Sequence, residues 1–373
     1  MVITLTAYQK VTKTMIFDFA IIGAGIAGAS LAAELSPHAK VLLLEMEHNP
    51  GWHATGRSAA FWSETYGGPA VTPLNTASGP WLKDHGFLSG HGELHIGRAE
   101  DASAIDAFLA RYAGKVELHR EDPTAHIPGL KPEWTLAISE PTCADIDVAG
   151  VHGHYLGLAR KNGVTMVTKA ELDTATLGPN GWSLSAGGVT YHAKVIANAA
   201  GAWADPVAER CGVKPLGVTP YRRSMVQLRM REPLPPNMPV VFDINNNFYF
   251  KSEGGDRIWL SPHDEIESPP CDAAPEELDI AIAIDRFEHV VDWKIAALER
   301  RWAGLRSFAP DRLPIYGSDV RQPAFFWFAG QGGFGIQTAP AAAKLGASVA
   351  LGMAPDPLVA GIDPQVFAPS RFG

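Results

Sequence analysis

The stretch Phe17-Asp-Phe-Ala-Ile-Ile-Gly-Ala-Gly-Ile-Ala-Gly-Ala-Ser-Leu-Ala-Ala-Glu-Leu35 decides the fold class. Its apolar opening reads as a buried strand, its glycines as a tight turn, and its small-residue tail as a helix able to pack closely on a sheet. A second apolar run, Val41-Leu-Leu-Leu-Glu45, follows. Strand, helix and parallel strand make a βαβ unit, which needs a right-handed crossover and covered faces, so an α/β layer is expected. Gly23, Gly25 and Gly28 stand in G-x-G-x-x-G spacing between strand and helix. The first permits the turn, the second lets backbone approach a pyrophosphate, and the third allows close helix-to-strand packing. The helix N-terminus adds N–H groups and positive potential. Glu45 ends the second strand about twenty residues on, where a carboxylate can accept the ribose hydroxyls of an adenosine. With strand, helix and acid in register, the reading is a dinucleotide site, against glycines that serve only a tight turn.

Outward from this motif, 373 residues exceed one typical domain, and 46% hydrophobic with 19% charged residues fits a packed protein. The net charge of -9 is the wrong sign for a phosphate-backbone footprint, which sets nucleic-acid binding aside. Three cysteines, Cys143, Cys211 and Cys271, lie far apart, so neither a disulfide framework nor a metal site is indicated. The first fifteen residues lack the apolar run of a signal peptide, and Met15 is a candidate alternative start. The long uncharged stretch Gln322 to Ala343 is broken by Gln331, Gln337, Pro340 and glycines, so no transmembrane segment is expected. The expected location is cytoplasmic, with peripheral attachment at the inner membrane face as a variant.

Two later segments return to the α/β layer. In one, Val148 to Gly163 reads as a helix and Tyr191 to Ala199 as a strand ending at Asn198-Ala-Ala-Gly-Ala-Trp203; in the other, Phe325-Phe-Trp-Phe328 runs into Gly330-Gln-Gly-Gly-Phe-Gly335 and a helix. Between them, alternating runs such as Ser224-Met-Val-Gln-Leu-Arg and Asn247-Phe-Tyr-Phe-Lys indicate an antiparallel sheet. One domain is thus interleaved with another: residues 15–75, 147–215 and 301–373 in the nucleotide domain, and 76–146 and 216–300 in a substrate domain.

NAD and FAD share the fingerprint cradle. The loop Gly51-Trp-His-Ala-Thr-Gly-Arg-Ser-Ala-Ala60 is rich in small and hydroxyl residues and suits an extended cofactor leaving its pyrophosphate. Gly332-Gly-Phe-Gly-Ile-Gln-Thr338 is a second glycine loop that enters a helix, placed to face the flavin edge where charge accumulates on reduction. Two such loops favour FAD; a helix start without a ligand is the alternative for the second.

Together these motifs, with Thr55-Gly-Arg-Ser58 and Trp302-Ala-Gly-Leu-Arg306, resemble the superfamily of FAD-dependent D-amino acid oxidases and dehydrogenases. The likeness extends from Phe17 to about Gly352 and implies a glutathione-reductase-like flavoprotein: a Rossmann-type FAD domain with an inserted antiparallel-sheet substrate domain. Ser58-Ala-Ala60, Ala144-Asp-Ile-Asp147, Pro220-Tyr-Arg-Arg-Ser224 and Glu277-Leu-Asp-Ile-Ala281 resemble the bacterial D-arginine dehydrogenase type in particular. The resemblance implies non-covalent FAD held by Ala27, Glu45, Met46, the residues Ala54, Thr55, Gly56, Arg57, Ser58, Ala59, Ala60 and Phe61, then Glu171, and Gly332, Gly333, Phe334, Gly335, Ile336 and Gln337. It implies that Arg223 and Arg306 grip a substrate carboxylate with help from the Tyr249 hydroxyl. Two guanidinium forks and a phenol select an α-carboxylate, and strand alternation sends Arg222 to the opposite side from Arg223. Ser63 and Tyr66 fall in the implied active-site loop, and the glycine loop at Gly333, running to Gln337, is implied to stabilise the reduced flavin.

Glu93 matches an acid positioned to meet a cationic side chain; alternation in Gly92-Glu-Leu-His-Ile-Gly97 permits it to face a cavity, and a solvated edge-strand glutamate is the alternative. Phe61 stands where that enzyme type has a histidine, and Val240 where it has a methionine. His152 with His154 and His91 with His95 lack metal-pair geometry, and Ser58 lacks the G-x-S-x-G elbow of a hydrolase. The implied activity is oxidative deamination of D-amino acids, cationic or of broad range, to 2-oxo acids and ammonia, with hydride passing to flavin N5 and then to a quinone, a dye or oxygen. A glycine, sarcosine or 2-hydroxy acid oxidase is the alternative within the superfamily, and a non-catalytic dinucleotide-binding protein the alternative outside it.

Overall fold

The computed structural model describes residues 15–373; the reading of the segment before Met15 lies outside these. The fingerprint strand Ile16–Ile22 is central in an eight-stranded sheet, with Val41–Leu44 parallel on one side and Val189–Asn198 parallel on the other. Alternation along these strands fills two cores. Phe19, Ile21, Val41 and Leu43 face the helices Ile26–Leu35, Val148–Lys161 and Gly335–Leu351, while Ala20, Ile22, Leu42 and Leu44 face Ala204, Val207 and Trp182. The strand Phe325–Ala329 is buried throughout, parallel to Val189–Asn198, so its aromatic run is core.

The second layer is a ten-stranded sheet, antiparallel except where Val240–Asp243 runs parallel to Glu93–Arg98. Its long pair is Thr219–Met230 with Ile295–Phe308, registered so that Arg223 lies opposite Gly304 and Tyr221 opposite Arg306. The helix Glu277–Glu288 covers it through Ile280, Ala283 and Phe287. A small third sheet joins Phe61–Trp62, Leu88–Ser89 and Ala144–Ile146.

Two segments fall differently from the expected division. The boundary at 301 lies inside Ile295–Phe308, because that strand stays paired with Thr219–Met230 to its end; Trp302 to Arg306 therefore belongs to the antiparallel sheet. The helix Thr72–Asp84, past residue 76 expected in the substrate domain, packs instead on the C-terminal helix, and its Leu74 and Leu82 complete the α/β core. Among the described residues, no helix is long and apolar enough to cross a membrane.

Candidate active site

One continuous cavity runs from the fingerprint to the antiparallel sheet. At its first end Gly23 has φ +98, and a Cβ there would stand 2.7 Å from the Ala199 carbonyl oxygen. A Cβ at Gly28 would meet the Gly23 carbonyl oxygen at 1.8 Å, so Gly28 serves helix packing and does not line the cavity. The N-cap residue of the helix starting at Ile26 is Gly25, which has no side chain to cap it, and Gly25, Ile26 and Ala27 line the cavity, so the helix N-terminus is turned to that space. Glu45 is buried and folded into the turn: Oε2 accepts from Ala24 N at 2.8 Å and Oε1 from Glu47 N at 2.9 Å. Thr55 Oγ1 accepts from Ile26 N at 3.0 Å, tying the small-residue loop to the fingerprint helix. His152 donates from Nε2 to the Ala24 carbonyl at 2.8 Å and is held neutral by burial.

Met46, Ala54, Thr55, Arg57, Ser58, Ala59, Ala60, Phe61 and Glu171 line the cavity, as do Gly332, Gly333, Gly335, Ile336 and Gln337. Gly56 and Phe334 do not. Gly56 lies close under Gly51, and Phe334 turns into an apolar cluster with Val71 and Phe308 because the chain is entering a helix there. Arg57 reaches across to the other layer, donating to Ala273 O at 2.8 Å and Ala303 O at 3.1 Å and pairing with Asp272. Its head therefore joins the two layers.

At the far end Arg223, Arg306, Tyr249 and Tyr66 converge. Arg223 is 6% exposed; burial and the neighbouring Arg306 charge lower it to about 10, still cationic at neutral pH. Its Nε donates to the Asp264 carbonyl at 2.7 Å. Arg306 donates from Nη2 to the Tyr66 hydroxyl at 2.8 Å and from Nη1 to Glu265 at 3.1 Å, while its buried Nε has no partner. Tyr249 donates to Met225 Sδ at 3.0 Å, and burial pushes its phenol up to about 12. Gln337 pins the Tyr66 loop, accepting from Ser63 N at 3.0 Å and donating to Ser63 O at 3.2 Å. Arg222 points away, to Glu276 at 2.6 Å and Asp279 at 2.9 Å.

Glu93 departs from expectation. It neither lines the cavity nor meets solvent, because Glu93–Arg98 is flanked on both sides by strands and both its faces are covered. Its Oε1 accepts from Ser63 Oγ and Thr65 Oγ1, each at 3.2 Å, and lies 2.9 Å from His95 Nε2. Burial pushes this carboxyl up, but the His95 contact and the hydroxyl donors outweigh it and hold Glu93 ionised. Nearby Glu140 accepts from Glu64 N at 2.6 Å, and burial together with the Glu93 charge raises it well above the usual range. Val240 also leaves the cavity wall, packing behind Phe61, Phe242 and Tyr249. Sequence reasoning missed Asp264, Glu265 and Arg312. Only the polar run Pro262-His-Asp-Glu265 at a strand end signals them, and it carries no motif.

A family model described as FAD dependent oxidoreductase matches residues 18–349. The chain belongs to this family of flavoproteins. FAD is its cofactor, and the fingerprint helix N-terminus, the Glu45 carboxylate and the glycine loop at 332–335 fit that group. Hydrogen cyanide synthase subunit HcnC of Pseudomonas aeruginosa is 27% identical over 167 residues, 44% of this chain and 38% of that subunit, so the chain covers well under two thirds of this relative. Glycine oxidase from Geobacillus kaustophilus shares the fold with a TM-score of 0.80 and 21% identity, over 94% of this chain and 98% of that one. L-α-glycerophosphate oxidase from Mycoplasma pneumoniae, with FAD bound, does so with a TM-score of 0.82 and 18% identity, over 91% and 95%. The family is thus an oxidoreductase family, with a substrate and an electron acceptor implied.

Proposed function

We propose that this flavoprotein oxidatively deaminates D-amino acids with neutral side chains to 2-oxo acids and ammonia. The observation that carries the reading is the convergence of Arg223, Arg306 and Tyr249 on the cavity beside Gly333. Bound FAD supplies the two-electron acceptor for the hydrogen on Cα. The chain's own residues bind and orient. Two guanidiniums hold the α-carboxylate by charge-assisted hydrogen bonds, and the Tyr249 phenol, kept protonated by burial, donates a third. Tyr66, fixed by Arg306 and Gln337, closes the outer side. Among the described residues the acids lining the cavity are Glu45 and Glu171 at the adenosine end, and Glu265 near the clamp is engaged by Arg306 and Arg312, so in this reading the amine enters deprotonated.

Phe61, Met225 and Tyr249 wall the cavity beside the clamp, and the nearby Glu265 carboxylate is already held by Arg306 and Arg312, which favours neutral over guanidinium side chains. D configuration is supported by the motif resemblance at Ala144–Asp147 and Pro220–Ser224. Turnover of a panel with 2-oxo acid and ammonia both quantified tests the proposal. Equal release of the two from D-methionine or D-phenylalanine, and none from the L forms, is expected. Turnover confined to glycine, sarcosine or a 2-hydroxy acid would move the substrate class.

A further inference from the structure

One carboxylate, that of Glu265, already bridges the two arginines of the clamp. Glu265 Oε1 accepts from Arg306 Nη1 at 3.1 Å and lies 3.5 Å from Arg223 Nη2. The same side chain also accepts from a third arginine, Arg312, whose Nη2 is 2.9 Å from both of its oxygens. Arg306 and Arg312 sit side by side over the Phe308 ring, at 5.2 and 3.9 Å from its centroid. The backbone around Glu265 is anchored. Asp264 accepts from Ser224 N and Ser224 Oγ, each at 2.8 Å, and the next residues, Ile266–Glu267, pair with Tyr221 and Arg222. Only the side chain is free to change partners. Two residues with side chains are held in the left-handed region at this contact, His263 at φ +56 and Arg312 at φ +66, a conformation that is kept where the surroundings demand it.

Resting on the reading of Arg223 and Arg306 as a carboxylate clamp, we infer that Glu265 is its internal counter-carboxylate. Without substrate it offsets part of the positive charge of the two arginines. When a substrate carboxylate arrives, Glu265 yields Arg306 Nη1 and Arg223 Nη2 and stays on Arg312, which can hold both of its oxygens. Glu265 and Arg312 therefore set substrate affinity without touching substrate, Glu265 as competitor and Arg312 as the group that draws it off. They are positioning residues, and the two act in opposite directions.

The test is titration of the holoenzyme with benzoate, a carboxylate with no hydrogen at the oxidisable position, read by the change in the flavin spectrum. Glu265→Gln should tighten benzoate about 10-fold and Arg312→Met should weaken it about 10-fold. In the Glu265→Gln background, Arg312→Met should change binding less than about 2-fold, because there is no competitor left to draw off. Glu265→Asp keeps the charge but shortens the reach, and should also tighten binding. Flavin content and melting temperature report folding; Glu265 and Arg312, with side chains 33% and 50% exposed, tolerate these changes. Unchanged or weaker binding in Glu265→Gln overturns the inference, as does a full Arg312→Met effect in the double variant, which would mark a simple field effect. Arg306→Met separates the two levels: if it binds benzoate as the parent does, the clamp reading itself fails, and if it loses benzoate while Glu265→Gln is silent, only the role of Glu265 falls.

Discussion

The Arg306 guanidinium turns its Nε–Nη2 edge to Gly333, so close that a Cβ at 333 would stand 2.3 Å from both nitrogens. This contact brings the antiparallel sheet against the glycine loop, with the Arg306 Nε buried and without a hydrogen-bond partner. Gly333→Ala must push Arg306 off this surface. The expected result is a kcat/KM loss of about 100-fold, with flavin content near normal. Steady-state kinetics beside the flavin-to-protein absorbance ratio measures both.

Arg223 and Arg222 are neighbours with different work. Arg223→Met and Arg306→Met each remove a charge-assisted fork and should lower kcat/KM about 10²- to 10⁴-fold while the flavin spectrum persists. Arg222→Met breaks the pair with Asp279 instead and should lower the melting temperature with kcat/KM nearly unchanged. Thermal unfolding and kinetics on the three variants separate these roles.

Part of this cavity's lining can be read in the sequence. The βαβ unit, the fingerprint and Glu45 form one local block whose spacing carries its meaning, and period-two alternation separates Arg223 from Arg222. Glu93 was not legible, because alternation reports which side a residue takes and not whether the strand is central or what covers that side. The motif around Arg306 points to the α/β layer, whereas its strand pairs in the antiparallel sheet, because strand pairing over such a length is a tertiary fact. Glu265 gave no signal: the three arginines that meet it come from positions 41, 42 and 47 residues away.

Glu45→Ala should weaken FAD retention and loosen the fingerprint together, because the same carboxylate that faces the cavity also holds Ala24 N and Glu47 N. Each charge-assisted hydrogen bond lost is worth about 1.5 to 3 kcal/mol. Dialysis followed by heat release of the remaining flavin, which is held non-covalently and should come free, measures the effect. Flavin retention equal to the parent would count against Glu45 as a cofactor ligand.

His263 stays neutral: burial, and then the Arg223 and Arg306 charges, lower it to about 2. In the unfolded chain it protonates near the ordinary histidine value of about 6.5, so below that pH the unfolded state takes up a proton that the folded state refuses. Stability is therefore lost as pH falls through about 6.5, at up to about 1.4 kcal/mol per pH unit from this group. His263→Asn, which suits the φ of +56, should flatten the melting-temperature profile between pH 6.5 and about 4.5. An unchanged slope would mean that His263 is solvated in the folded protein.

The most direct measurement is anaerobic addition of D-methionine and L-methionine to the parent protein and to Arg306→Met, following the visible flavin absorbance. The expected result is rapid bleaching of the parent by the D form alone, with the variant slowed by orders of magnitude at the same concentration. Equal bleaching of parent and variant, or no bleaching of the parent by any D-amino acid, would contradict the assignment of this cavity as a carboxylate-clamped D-amino acid site.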